Sequence, residues 1–421
     1  MLIALCGILL RLLLMPVTMH GQDLIFINYF PMMFVEEGCW NPYAFIEERF
    51  PAFKFTYYGP GLLWIMSFFN FIFVKIMNNQ SYAEMLKAAA GMMGGIYTTI
   101  DYVKALKGYN LAWNLFLMKL PYLTADLLTG FIILRMQGDE KKAVMSFGLW
   151  MFNVVVIHSA YMLGSFDLIM ACVIMLALYA AKLKRPFVSM LFLSLGGAIK
   201  FVPYFLIPPV CILLGNTLKK KAALLGAAGV MSLAIYLPYL LNSPEAMKRY
   251  FFLYKAVETG SFIQGMLVFA FFVLYLILCI TAYRDSKRTG IEGRLVFYFS
   301  ACLFALYLSF PIRFRYFVSI TPLLALIMPY SRKFRNFIFI LVGLLAFQWL
   351  YAREMQLGLF APLGPDTFSG IPSLHEIMNR FVDIDIAHKV LARIFPFCYI
   401  VSFFWMLGLM RDVTVKGSDK V

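Results

Sequence analysis

Charged residues inside a strongly apolar chain are where chemistry is to be sought, because each is costly in lipid and needs a partner. Asp23 follows the apolar run 1–19 within a few residues, which sets it at the outer edge of a membrane, beside lipid phosphates. A carboxylate there can take a proton from an acceptor hydroxyl. Its plainer role would be a helix cap or a solvated interfacial acid. Lys119 and Asp126 share one helical face at a spacing of seven, too far for a direct pair. Asp167 opens an apolar run in YMLGSFDLIM, as a site residue or an N-cap. Lys200 lies in GGAIKFVPYFLIPP, beside backbone broken by proline, and Arg313 and Arg315 flank a turn in FPIRFRYF. Two guanidiniums can clamp a phosphate or pyrophosphate; snorkelling or anchoring to anionic lipid is the alternative.

Taken together, these basic outer turns and one acidic loop outline a site for an anionic lipid next to a general base. Asp23 is the candidate catalytic base, and Lys200, Arg313, Arg315 and Lys119 are candidate phosphate-binding groups. His20, Gln22, Glu37, Tyr57, Tyr58 and Asp167 are candidates for acceptor binding or support. His20 and His375 are too few and too separated to argue for a metal centre. Seven cysteines are scattered with no C-x-x-C spacing, so neither zinc nor a disulfide framework is indicated. The chain has no P-loop, Gly-x-Ser-x-Gly or dinucleotide fingerprint, which argues against ATP or NAD chemistry.

The elements that must position these residues are membrane helices. Of 421 residues, 62% are hydrophobic and 14% charged, and mean hydropathy is +0.79. A water-soluble core cannot absorb that excess. Apolar runs of about 18 residues recur, each long enough for a hydrocarbon core of roughly 30 Å. Backbone pairing inside lipid makes them helices, and the period-two alternation of a barrel is absent. The expected fold class is all-α, a polytopic bundle of about twelve spans with interfacial helices in the first external loop. These spans fall near 1–19, 114–136, 145–160, 166–183, 187–199, 203–215, 222–241, 262–282, 294–311, 316–330, 335–352 and 390–410. The first run lacks a basic leader and a cleavage site, and reads as a retained anchor.

The net charge of +15 resides in short basic clusters between runs. It therefore reports cytoplasmic loops rather than nucleic acid as a partner. With the N-terminus inside, the clusters at Arg135/Lys141/Lys142, Lys182/Lys184/Arg185, Lys219/Lys220/Lys221, Arg284/Lys287/Arg288, Arg332/Lys333/Arg335 and Arg411/Lys416 share the cytoplasmic face. The whole of 1–421 is one integral membrane domain. Its outer features are a first loop, 20–59, with an amphipathic surface helix at 24–35, and a second large loop, 353–389. Residues 60–110 are read as interfacial or re-entrant, because 60–77 as a lone span would reverse every later loop; the alternative is a second crossing near 85–105, a poor span with Lys87, Asp101 and Lys104.

An ordered set of stretches resembles a known family. FVEEGCWNPY, KFTYYGPGLLWIM, KLPYLTADLLTGFIILRMQG, GSFDLIM, GGAIKFVPYFLIPP and RFRYFVSITPLLAL are similar to GT-C superfamily glycosyltransferases. The likeness is to the glycosylphosphatidylinositol mannosyltransferase and to bacterial polyprenol-phosphate-mannose-dependent enzymes. The resemblance implies an inverting transfer of a sugar, with mannose favoured, from a polyprenyl-phosphate donor to a lipid or glycan acceptor on the non-cytoplasmic face. In that family an acidic residue of the first external loop is the base, often within Asp-x-Asp. Asp23 matches it, but QDLIF has no second Asp, so a divalent cation would find a poorer ligand here. GSFD keeps the family's Asp at 167 and lacks its Arg, and Lys200 matches a family lysine. No other cofactor is implied. The competing readings are a flippase or transporter of a lipid-linked saccharide, which would favour internal repeats, and a surface-polysaccharide ligase or polymerase.

Overall fold

The computed structural model describes residues 1–38, 41–49, 58–92, 97–245, 247–248, 262–287, 292–308, 314–349, 357–372, 374–381 and 383–417. Among them it contains helices and turns and no strand. The helices are α1 (Leu2–Leu14), α2 (Gly21–Glu37), α3 (Pro42–Arg49), α4 (Pro60–Phe71), α5 (Gln80–Ala90), α6 (Thr99–Ala105), α7 (Leu111–Met136), α8 (Glu140–Met151) and α9 (Val154–Val156). They continue with α10 (Asp167–Lys182), α11 (Pro186–Ile199), α12 (Ile207–Leu214), α13 (Leu218–Asn242), α14 (Phe262–Asp285), α15 (Glu292–Leu308), α16 (Thr321–Ile327), α17 (Arg332–Trp349), α18 (Pro365–Gly370), α19 (Leu374–Met378) and α20 (Ile384–Gly417).

Local chemistry sets many of the starts. Asn110, Asp139 and Thr217 accept backbone N–H groups at the first turns of α7, α8 and α13, which satisfies donors a helix cannot pair itself. Pro186 and Pro322 sit in the first turns of α11 and α16, where their missing N–H costs nothing. Five stretches are long and apolar enough to cross a membrane: Leu111–Met136, Glu140–Met162, Leu218–Asn242, Val268–Asp285 and Lys389–Leu409. Other apolar helices expected to span, such as Leu2–Leu14, Pro186–Ile199, Val202–Leu214 and Thr321–Tyr330, are shorter. Prolines 203, 208, 209, 322 and 329 crowd these segments and keep the runs brief.

The centre is α10. Almost all of it is buried, including Ala171, Ala177, Ala180 and Ala181, whose small side chains let neighbouring backbones approach closely. It packs against α7, α11, α15 and the 3-10 turn Phe314–Ser319. The segment after α1 departs from expectation. A helix does cover 24–35, but it is no surface helix: Leu24, Ile25 and the run Ile27–Phe34 are all buried. The cause is the following segment, because α4, α5 and α6 all fold onto α2 and cover its apolar surface. A polar knot ties these layers. The Tyr82 hydroxyl lies 3.2 Å from the Asn28 amide oxygen and 2.9 Å from that of Asn70.

Candidate active site

Asp23 lies in the first turn of α2, where unpaired N–H groups favour a negative charge. Three contacts fix that turn. Met19 N–H donates to the Leu359 carbonyl (2.9 Å), Gly21 N–H donates to Thr99 Oγ1 (3.1 Å), and Asp23 N–H donates to His20 Nδ1 (3.4 Å). The Tyr102 ring covers Gly21 so closely that a Cβ there would meet it at 2.4 Å. Helix α6 and the turn at Leu357–Leu363 thus both rest on the residues flanking Asp23. The same His20 Nδ1 lies 3.7 Å from Asp23 Oδ2.

From the other end of the chain, Arg315 Nη1 donates to Asp23 Oδ2 at 2.7 Å. Both side chains keep a little over a quarter of their surface exposed. Arg315 Nε is buried with no hydrogen-bond partner. Burial works against the guanidinium charge, yet Asp23, Tyr316 and Asp167 outweigh it and raise the pKa above the ordinary arginine value.

A second ion pair stands beside the first. Lys200 Nζ, at the C-terminal end of α11, contacts Asp167 Oδ1 at 2.6 Å, and the Ser165 hydroxyl donates to Asp167 Oδ2 at 2.9 Å. Asp167 is almost completely enclosed. Lys200 Nζ also sits 3.8 Å above the Tyr316 ring and 5.5 Å from that of Phe166. Arg315 Cζ is 5.5 Å from the same Tyr316 ring, so one aromatic ring serves both cations. Tyr58 completes the wall: its ring meets Phe166 edge-on at 5.4 Å, and its carbonyl accepts from the Tyr43 hydroxyl. Burial pushes the Tyr58 hydroxyl pKa up, and Asp23 and Asp167 add to this against an opposing Arg315. Tyr58 therefore feels both ion pairs.

Gly164 sits where α2 meets the turn that carries Asp167. Its φ of +80° lies in the left-handed region, and a Cβ on it would come within 2.6 Å of Leu24 Cδ1. Only glycine lets α2 approach the Asp167 turn this closely. The Tyr122 hydroxyl holds that turn by donating to the Gly164 carbonyl, and Ser165 N–H donates to the Ser159 carbonyl.

The candidate residues thus divide. Asp23, His20, Arg315, Tyr58, Asp167 and Lys200 come together, and Gln22 lies half-buried beside Asp23. Lys200 and Arg315, expected as phosphate ligands, are each engaged by a carboxylate. Lys119 has a different setting. Fully buried, it donates to the carbonyls of Met15 (3.0 Å) and Thr18 and contacts Thr18 Oγ1 at 3.1 Å, which occupies all three ammonium protons. Glu37 is exposed at the far end of α2, about 20 Å along the helix from Asp23. Arg313 and Tyr57 lie outside the described residues, as does the side chain of His375. Asp126 pairs with Arg11, a residue that hydropathy over the first run conceals. Sequence reasoning also missed Ser165, Tyr316 and His158, whose ring packs edge-on against Phe314 from the π-helical stretch Ile157–Met162. A π-helical turn is a structural signal with functional weight, but it has no sequence signature here.

Among the described residues no group of three His, Cys, Asp or Glu side chains could hold a metal ion. The arrangement offers a carboxylate that can accept a proton, next to two cations that can stabilise an anion. No family model, curated protein or solved structure matches the chain.

Proposed function

We propose that the protein is an inverting glycosyltransferase that moves a sugar, with mannose favoured, from a polyprenyl-phosphate donor to a lipid or glycan acceptor. The observation that carries this reading is Asp23 at 2.7 Å from Arg315, with Lys200 against the same Tyr316 ring. Asp23 accepts the proton of the acceptor hydroxyl. The oxygen attacks the anomeric carbon, and the bond to the donor phosphate breaks with its electron pair leaving on phosphate. Phosphate is a good leaving group, so cations at Arg315 and Lys200 suffice to stabilise its charge and no acid is required. The chain's own apolar helices supply the setting for a lipid donor. In this reading about twelve spans cross the membrane, the basic loops face the cytoplasm and the Asp23 side opens to the non-cytoplasmic face.

The test is purified protein in lipid, given a panel of radiolabelled polyprenyl-phosphate sugars and a membrane lipid extract. A new glycosylated product is expected with one donor, and Asp23→Asn is expected to abolish it while protein level is retained. Undiminished transfer by Asp23→Asn would remove Asp23 from the mechanism.

A further inference from the structure

We infer that Arg315 serves two anions in turn, Asp23 before the donor binds and the donor phosphate afterwards, so that donor binding is what releases the Asp23 carboxylate to act on the acceptor. This rests on the reading of the site as one for a polyprenyl-phosphate sugar.

The two ion pairs differ in the property that decides which can exchange. Asp167 is 1% exposed, and both its oxygens are taken, one by Lys200 and one by Ser165. Breaking that pair would strand a buried charge. Asp23 and Arg315 are 28% and 27% exposed, and they meet through a single bond from Nη1 to Oδ2. Water and ligand can reach that pair, and a one-bond contact is the weaker geometry for a guanidinium, whose fork suits two acceptor oxygens at once. Arg315 also carries Nε–H, buried and without an acceptor. A phosphate presents several oxygens and can satisfy the fork where one carboxylate oxygen does not. The Tyr316 ring, 5.5 Å from Arg315 Cζ, gives the cation a surface to rest on through the exchange.

The exchange has a consequence that a purely structural ion pair lacks. Asp23 competes with phosphate for Arg315, so removing the carboxylate must tighten phosphate binding while it ends transfer. It also sets an order of addition, with donor before acceptor.

The experiment measures binding of farnesyl monophosphate, as a short polyprenyl phosphate, to the purified full-length protein in detergent by titration calorimetry. Relative to wild type, Asp23→Asn should bind about fivefold to tenfold tighter, and Arg315→Gln about tenfold or more weaker. The gain from Asp23→Asn must vanish in the Asp23→Asn/Arg315→Gln double variant, since it acts through Arg315. Asp23→Ser provides the same comparison if Asp23→Asn fails to accumulate. Unchanged or weaker binding by the Asp23 variants, or a gain that persists without Arg315, would overturn the exchange while leaving the donor reading intact. Absence of binding to wild type would overturn the donor reading itself, and the exchange with it.

Discussion

Arg11 Nε lies 2.5 Å from Asp126 Oδ2, and neither side chain has any exposed surface. The Tyr161 hydroxyl donates to the same oxygen at 2.7 Å, and Arg11 Nη1 donates to the carbonyls of Gly7 and Met151. This cluster fastens α1 to α7 and α8. Removing one member leaves the other charge buried and uncompensated, which costs about 3–5 kcal/mol. Arg11→Met and Asp126→Leu should each lower the melting temperature of the purified protein sharply. The double variant should recover most of the loss, because no charge is then left behind.

Lys119→Met should act on stability and not on donor recognition. It leaves the Met15 and Thr18 carbonyls without their donor, and an unsatisfied buried acceptor costs about 1–3 kcal/mol. The check is a lowered melting temperature together with an unchanged KM for the donor in the folded fraction. A raised KM at unchanged stability would restore Lys119 to a phosphate-binding role.

Gly164→Ala should impair both stability and transfer. The left-handed backbone at φ +80° strains any Cβ, and the methyl would press on Leu24, one residue from Asp23. A cost of about 1–3 kcal/mol is expected, together with a fall in kcat as the two ion pairs are pushed apart. Steady-state kinetics beside a melting curve separate the two effects.

Tyr82→Phe removes the one hydroxyl shared by Asn28 and Asn70 and so loosens α4 and α5 from α2. A destabilisation of about 1–3 kcal/mol is expected, read out as faster proteolysis within 60–110 before the rest of the chain is cut.

Much of the fold and part of the site were legible in the sequence, for reasons that can be named residue by residue. Hydropathy identified an all-helical chain with membrane-length segments, because burial of apolar surface in lipid dictates composition directly. Asp23, Asp167, Lys200 and Arg315 stood out because charge is rare in such a chain. Their pairing did not, since Asp23 and Arg315 are separated by 292 positions and nothing local links them. Arg11 went unseen because an average over Leu2–Leu14 dilutes one charge among leucines. Tyr316 and Phe166 were hidden by abundance: aromatic residues make up 17% of the chain, and which of them lies beside a cation is a matter of packing. The surface helix expected at 24–35 has the right residues but the wrong surroundings, because its cover is supplied by residues 60–105.

The Arg11–Asp126 contact also bears on how the chain is made. The two residues are separated by 115 positions, so at roughly 5–20 residues per second Arg11 leaves the ribosome about 6–23 seconds before its counter-charge. Over that interval α1 is an apolar segment with a lone guanidinium, carrying a penalty of roughly 2.5–3.5 kcal/mol for lodging at the bilayer centre. Its settled position must then await α7, so a helix made before its counter-charge is secured only after it.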